Sequence, residues 1–155
     1  MTIRDIYVDS RRGPSNNTYT LTLHTPLINV KEASILALTM TPGSASQLQR
    51  GDIAFLDIRE LRRAYDTDCL SNVVAPQTPA STAFGLIHLK DCIASANPVK
   101  YMVDKKDSYV ITYPKPIDRI DRFTVQWLNY DGTSIPMDTE DYNIFMIRLL
   151  CDDEY

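Results

Sequence analysis

The stretch PKPIDRIDRFTVQWLNYDGTSIPMDTEDYNIFMIRLL, Pro114 to Leu150, decides the fold class. Within it Phe123, Val125 and Trp127 alternate with Thr124 and Gln126. Further on, Phe145, Ile147 and Leu149 alternate with Ile144, Met146 and Arg148. A period of two sends successive side chains to opposite faces, which is the signature of a half-buried strand. The stretch therefore reads as two strands, Arg122 to Tyr130 and Tyr142 to Leu150, joined through an Asp131-Gly132 turn. The residues remaining up to Asp141 are too many for a two-residue hairpin, so the turn is not expected to pair these strands tightly. The tandem IDRIDR, Ile117 to Arg122, would put Ile117 and Ile120 on opposite faces if it were regular. A bend or bulge between two strands is the expectation there.

Working outward, the same reading finds strands at Ile3–Val8, with Ile6 and Val8 on one face, and at Thr18–His24. In the second, Tyr19, Leu21 and Leu23 oppose the threonines. Pro26 to Val30 reads as a short connection before Ala33–Met40, a more continuously apolar strand closed by Pro42-Gly43. Asp52–Ile58, Phe84–Lys90 and Tyr109–Tyr113 add further strands, and Glu60–Ala64 has room for one helical turn. Gly, Pro, Ser and Asn mark loops at Arg11–Asn17, Ser44–Gly51 and Asn97-Pro98. The total is about eight strands with almost no helix, which predicts an all-β, antiparallel eight-stranded β-sandwich, including the jelly roll, or a barrel.

The chain has 155 residues, 44% hydrophobic and 23% charged, which fits one globular domain over 1–155. A chain this long buries roughly 70% of its unfolded surface and needs no metal or disulfide to fold. Its formal charge of −4 lacks the basic footprint that coating nucleic acid requires. Cys69, Cys92 and Cys151 are odd in number and widely spaced, which fits a reducing interior better than a disulfide framework or a zinc site. The N-terminus shows no apolar core of signal-peptide length, and no apolar run approaches the ~18 residues of a membrane span. The sequon Asn16-Asn17-Thr18 is read as incidental. The tail Cys151 to Tyr155 is short and acidic and is expected to fray.

Catalytic signatures do not assemble. Nucleophilic catalysis needs a histidine within reach of the nucleophile. His24 and His88 both fall in strand patterns and are expected to be satisfied structural residues. No GxSxG and no phosphate-binding glycine loop occurs. Asp66 with Asp68, and Asp138 with Glu140 and Asp141, lack calcium-loop spacing and read as solvated carboxylates. No catalytic residue, metal or cofactor is therefore expected. Tyr19, Tyr109, Tyr113, Tyr130 and Trp127 fall in strand patterns and are assigned to packing rather than to stacking on sugars or bases.

Two stretches together resemble a family. Val8-Asp9-Ser10-Arg11, Tyr19-Thr20-Leu21, Ile28-Asn29-Val30 and Ile35 to Pro42 are similar to the opening of small capsid proteins of large eukaryotic double-stranded DNA viruses and their relatives. Pro116 to Leu149 is similar to that family's closing pair of strands. The resemblance covers roughly half of the chain, at its two ends, and leaves the middle unmatched. It implies a single jelly roll in which Asp9-Ser10-Arg11 and Asp131-Gly132 are structural positions. It implies a vertex penton forming a homopentamer in the virion, assembled inside the host cell beside major and minor capsid proteins. A minor capsid protein cementing capsomers is the alternative within that class. A jelly-roll ligand-binding module, lectin-like or for attachment, is the alternative outside it. With both ends reading as recognisable strands, a complete jelly roll is the expectation.

The long segment Asp66 to Ala83 contains Pro76 and Pro79 and is expected to be a contact loop. Arg59, Arg62 and Arg63 precede it. A charged and long connection most needs an external partner, so Arg59, Arg62, Arg63, Asp66 and Asp68 are the candidate interface residues.

Overall fold

The structure, a computed structural model, describes residues 1–12, 18–40, 53–62, 83–88, 99–102, 110–129, 132–135 and 142–152. Its strands are β1 (Thr2–Asp9), β2 (Thr18–Met40), β3 (Ile53–Ile58), β4 (Gly85–His88), β5 (Val99–Met102), β6 (Val110–Asn129) and β7 (Asn143–Cys151). Two 3-10 turns, Ser10–Arg12 and Arg59–Leu61, follow β1 and β3, and no α-helix occurs among the described residues. The second is the short helical turn expected near Glu60. The all-β class is as the sequence predicted, and the antiparallel sheet curls into a half-barrel.

The strand order is β1-β7-β2-β6-β3-β4, with β5 pairing β2 off this path. β2 and β6 are long because each bends and continues. β2 pairs with β6 from Thr18↔Gln126 to Thr22↔Arg122, then resumes at Leu27↔Ile120 after a register shift. A second shift separates Val30↔Ile117 from Glu32↔Thr112. Extra residues on one strand bend it without ending it. The expected connection at Pro26–Val30 is thus a corner inside a continuous strand, and Asn29 takes φ 50 within it. An amide side chain tolerates this left-handed conformation better than most. The irregularity expected at IDRIDR is present, again within one strand. Ile120 and Phe123 are both buried although three positions apart, and Ile117 packs against the same core.

Each long strand has different neighbours at its two ends. The later half of β2 lies between β7 and the first part of β6. Its first half pairs with the last part of β6, which in turn pairs with β3. Side chains from these two neighbourhoods meet across the interior. Trp127 of β6 stands edge-on to Phe145 of β7, with ring centroids 6.3 Å apart. The Tyr113 hydroxyl donates to the Leu61 carbonyl at 2.8 Å. A Cβ added to Gly85 of β4 would lie 2.6 Å from Cδ1 of Ile35 in β2, so a larger residue there would make the tip of Ile35 turn aside.

The core is one cluster holding Trp127, Phe123, Phe145, Phe84, Leu27 and Leu56 with the alternating residues of every long strand. Full burial of each such side chain contributes about 1.5–3 kcal/mol. The sets of residues that periodicity put on one face stay together, and the structure shows which set faces inward. Phe123, Val125 and Trp127 are buried, as are Phe145, Ile147 and Leu149.

As expected, the Asp131-Gly132 turn after β6 does not make a tight hairpin of β6 and β7, but it has a returning arm of its own. The Gly132 N–H donates to the Asn129 carbonyl at 2.9 Å, and the Asn129 N–H donates to Thr133 at 2.7 Å. Ser134 bridges to Leu128, and the Ile135 N–H reaches the Trp127 carbonyl at 3.0 Å. Gly132 has φ 83, the left-handed geometry such a turn requires. The turn is therefore tight, but its returning arm is Thr133–Ile135 and not β7. The strands β6 and β7, adjacent in sequence, do not pair with each other. The expected fraying tail is also held at its start. Cys151 ends β7 fully buried, and the Asp152 N–H donates to the Asn29 carbonyl at 3.0 Å.

Candidate assembly surfaces

Three polar anchorages fix the strands that carry the outer surface. The first is a clasp where β1, β2, β6 and β7 converge. Asp9 is nearly buried and accepts three hydrogen bonds from Arg11, two of them from its guanidinium at 2.9 and 2.7 Å. The Arg11 guanidinium also lies over the Tyr142 ring, 5.3 Å from its centroid. Buried Ser10 accepts the Asn143 N–H at 2.9 Å, and the Tyr19 hydroxyl donates to Asn143 Oδ1. Burial, reinforced by the Asp9 charge, holds the Tyr19 phenol far above its ordinary pKa. The buried Trp127 indole N–H nearby makes no hydrogen bond. The clasp gives Asp9-Ser10-Arg11 a tying role: it joins the end of β1 to the start of β7.

The second anchorage follows β3. Asp57 is buried and receives both the Nε (2.9 Å) and a terminal nitrogen of Arg62. Glu60 accepts from the Thr124 N–H at 2.7 Å and from its hydroxyl at 2.9 Å. The turn Arg59–Leu61 is thereby stapled to β6. The third anchorage is the terminal corner, where Lys31 pairs with Asp152, and the Asn29 amide donates to the Asp152 carbonyl.

Of the candidate interface residues, Arg59 is exposed and Arg62 is bound to Asp57. Arg63, Asp66 and Asp68 lie outside the described residues, as does the contact loop up to residue 82. Ala83, at its end, is buried. The structure thus shows one guanidinium open to solvent and one committed within the chain. His24 differs from the expected satisfied residue: it is exposed at the β2 bend. The side chain of His88 lies outside the described set. Among the described residues no group of three or more His, Cys, Asp or Glu side chains could hold a metal, and no helix is long and apolar enough to cross a membrane.

The outward residues of β1 and β7 form a surface that the sequence reading did not single out. Ile3 faces Leu150, Asp5 faces Arg148, and Tyr7 faces Met146 across the ladder. Ile3 is 60% exposed, Tyr7 51% and Met146 36%. Between the two apolar pairs, Arg148 grips Asp5 with bonds of 2.8 and 2.7 Å. Those bonds hold the Asp5 carboxyl below its ordinary 3.8, against a smaller desolvation effect. Asp5 and Arg148 are 143 residues apart, so no local pattern could pair them. The outward apolar residues of β1 were legible in its alternation, but their exposure was not.

A second outer face lies on β2 and β6, where Thr18, Thr20 and Thr22 stand opposite Gln126, Thr124 and Arg122. It is hydroxyl-rich, and Arg122 is exposed on it. No protein-family model matches the chain, and no curated protein is similar to it in sequence.

Proposed function

We propose that this chain is a structural component of an icosahedral virus capsid, a vertex penton protein that assembles as a homopentamer, and not an enzyme. The observation that carries the reading is how the two family-like ends pair. Val8–Arg11, Tyr19–Leu21 and Ile35–Pro42 come from one end of the chain, and Pro116–Leu149 from the other. They supply β1, β2, β6 and β7, which are consecutive in the sheet.

The pairing also supports the finer fold. Counting each half of β2 and β6 as a strand gives two sets of four. The first is β1, β7, late β2 and early β6; the second is early β2, late β6, β3 and β4. Trp127 against Phe145, and Tyr19 against Asn143, join one set to the other through the core. Two four-stranded sheets facing each other, with the chain crossing between them at corners, make a single jelly roll. On this reading β5 is an addition to the eight strands, and the long segment between β3 and β4 is available for contacts with neighbours.

Five-fold rings use head-to-tail contacts in which different patches meet. Arg59, at the start of the unmatched middle, is exposed and suits the rim of such a contact. Native mass spectrometry of the purified chain, with cryo-electron microscopy of assembled particles, tests the proposal. The expected result is a pentamer that occupies the vertices. A strict monomer that joins no shell overturns it, and a location between other capsomers replaces the vertex position with a cementing one.

A further inference from the structure

We propose that β1 is a self-recognition edge. Two copies of this chain join their sheets by antiparallel, two-fold pairing of Thr2–Asp9 with the same strand of the partner copy, centred on Asp5.

The strand pairs with β7 on one side, and no strand among the described residues pairs with its other side. An open edge offers a row of N–H and C=O groups to any extended chain. Proteins blunt such edges with proline, bulges or inward charges. Early β6, the opposite flank of the same set of strands, carries Pro114 and Pro116. β1 carries no proline and no register shift along its whole ladder with β7. The two flanks are therefore unequal: β1 lacks prolines and bulges, and its charges, Arg4 on the inner face, Asp5 held by Arg148 and Asp9 held by Arg11, are the only guards it carries.

The residue pattern chooses the occupant. With Asp5 at the two-fold axis, Ile3 of one copy stands opposite Tyr7 of the other, and Tyr7 opposite Ile3. These are the two most exposed apolar side chains within the described strands, and aromatic–β-branched pairs are favourable across a ladder. Thr2 then faces Val8, and Arg4 faces Ile6. Two Asp5 carboxylates meet at the centre, where like charges are normally destabilising. Each arrives already gripped by its own Arg148, so the row Arg148–Asp5–Asp5–Arg148 is electrically balanced. Shifting the register by one pair in either direction puts Asp5 against Ile3 or Tyr7 and leaves an apolar side chain unmatched. The surface is complementary to itself in one register, as an isologous contact demands. This contact is two-fold, so it is separate from the head-to-tail contacts of a ring and does not depend on them.

The test uses the full chain. Sedimentation across a concentration series is expected to show a species in which copies pair. Ile3→Lys and Tyr7→Lys, at solvent-exposed positions, are expected to weaken that pairing at least tenfold with an unchanged circular dichroism spectrum. The register is read by a short bis-maleimide in a background with Cys69, Cys92 and Cys151 replaced by serine. Mixed Ile3→Cys and Tyr7→Cys chains are expected to cross-link to each other far faster than either does to itself. Equal cross-linking in all three samples overturns the register. Paired copies insensitive to both lysine variants overturn the surface. Protection of β1 amides from exchange only when another capsid protein is added assigns the edge to a foreign strand and overturns self-recognition.

Discussion

Asp57–Arg62 and Asp5–Arg148 are the same two-toothed carboxylate–guanidinium bond in opposite surroundings. The Asp57 side chain is 3% exposed, the Asp5 side chain 38%. Both pairs have close bonds, so geometry does not separate them. Solvent does. Water can replace Arg148 at Asp5 but cannot fully replace Arg62 at Asp57. The inner pair is therefore a structural tie, and the outer one orders a surface at little energetic consequence. The sequence put Arg62 among residues facing a partner, whereas the fold turns it toward its own strand.

Breaking the inner pair is the largest expected effect. Arg62→Ala strands a buried carboxylate and is expected to cost about 3 kcal/mol, the lower part of the range for such a break because Arg62 itself is partly exposed. Chemical denaturation measures it, and a loss indistinguishable from that of Arg148→Ala erases the contrast. A neutral buried bond sharpens the comparison from another side. Tyr19→Phe leaves Asn143 Oδ1 without its donor and is expected to cost about 1–3 kcal/mol. Tyr19 also gives a pH signature. Unfolded, it ionises near 10; folded, it holds its proton to higher pH. Its contribution is present below pH 10 and is lost as pH rises beyond it. Alkaline titration should therefore destabilise the wild type more steeply than Tyr19→Phe, and parallel curves would remove Tyr19 from the account.

The outer pair gives the smallest effects. Exchanging its charges, Asp5→Arg with Arg148→Asp, is expected to leave the denaturation midpoint near that of the wild type. The same exchange at Asp57 and Arg62 is expected to unfold the chain, since the buried site fits the carboxylate alone. Arg148→Ala should shift the midpoint barely at all, because exposed pairs contribute little. What difference there is has a defined pH course. Asp5 titrates below 3.8 when folded and at about that value when unfolded, so the pair's contribution is full above 3.8 and fades as pH falls through the lower folded value. Wild type and Arg148→Ala should converge in acid; a gap that widens there contradicts the assignment.

Much of the fold was legible because burial imposes a period of two. The shared faces that hold Tyr19, Phe123 and Phe145 follow from it directly, as does the start of β1. Legibility fails where the period breaks. Pro26 and Asn29 look like a loop, and Pro114 and Pro116 look like a strand boundary, yet bulges carry both segments through as strand. β5 has only four residues and no clear alternation. That β6 does not pair with β7 was legible in part: neighbours in sequence are the default partners, but too many residues separate the Asp131-Gly132 turn from the last strand for a tight hairpin. Long-range polar pairing was the least legible part. Asp5 finds Arg148, and Ser10 finds Asn143, across more than a hundred residues, and side-chain pairing at that range leaves no local trace.

The ladder between β1 and β7 has a consequence in time. Thr2 pairs with Cys151, so β1 waits for a partner made much later in synthesis. At roughly 5–20 residues per second of synthesis, that wait is on the order of ten seconds. Contacts this distant also slow folding itself. During synthesis, therefore, the edge of β1 that β7 will cover stays uncovered for as long as the intervening residues take to be made.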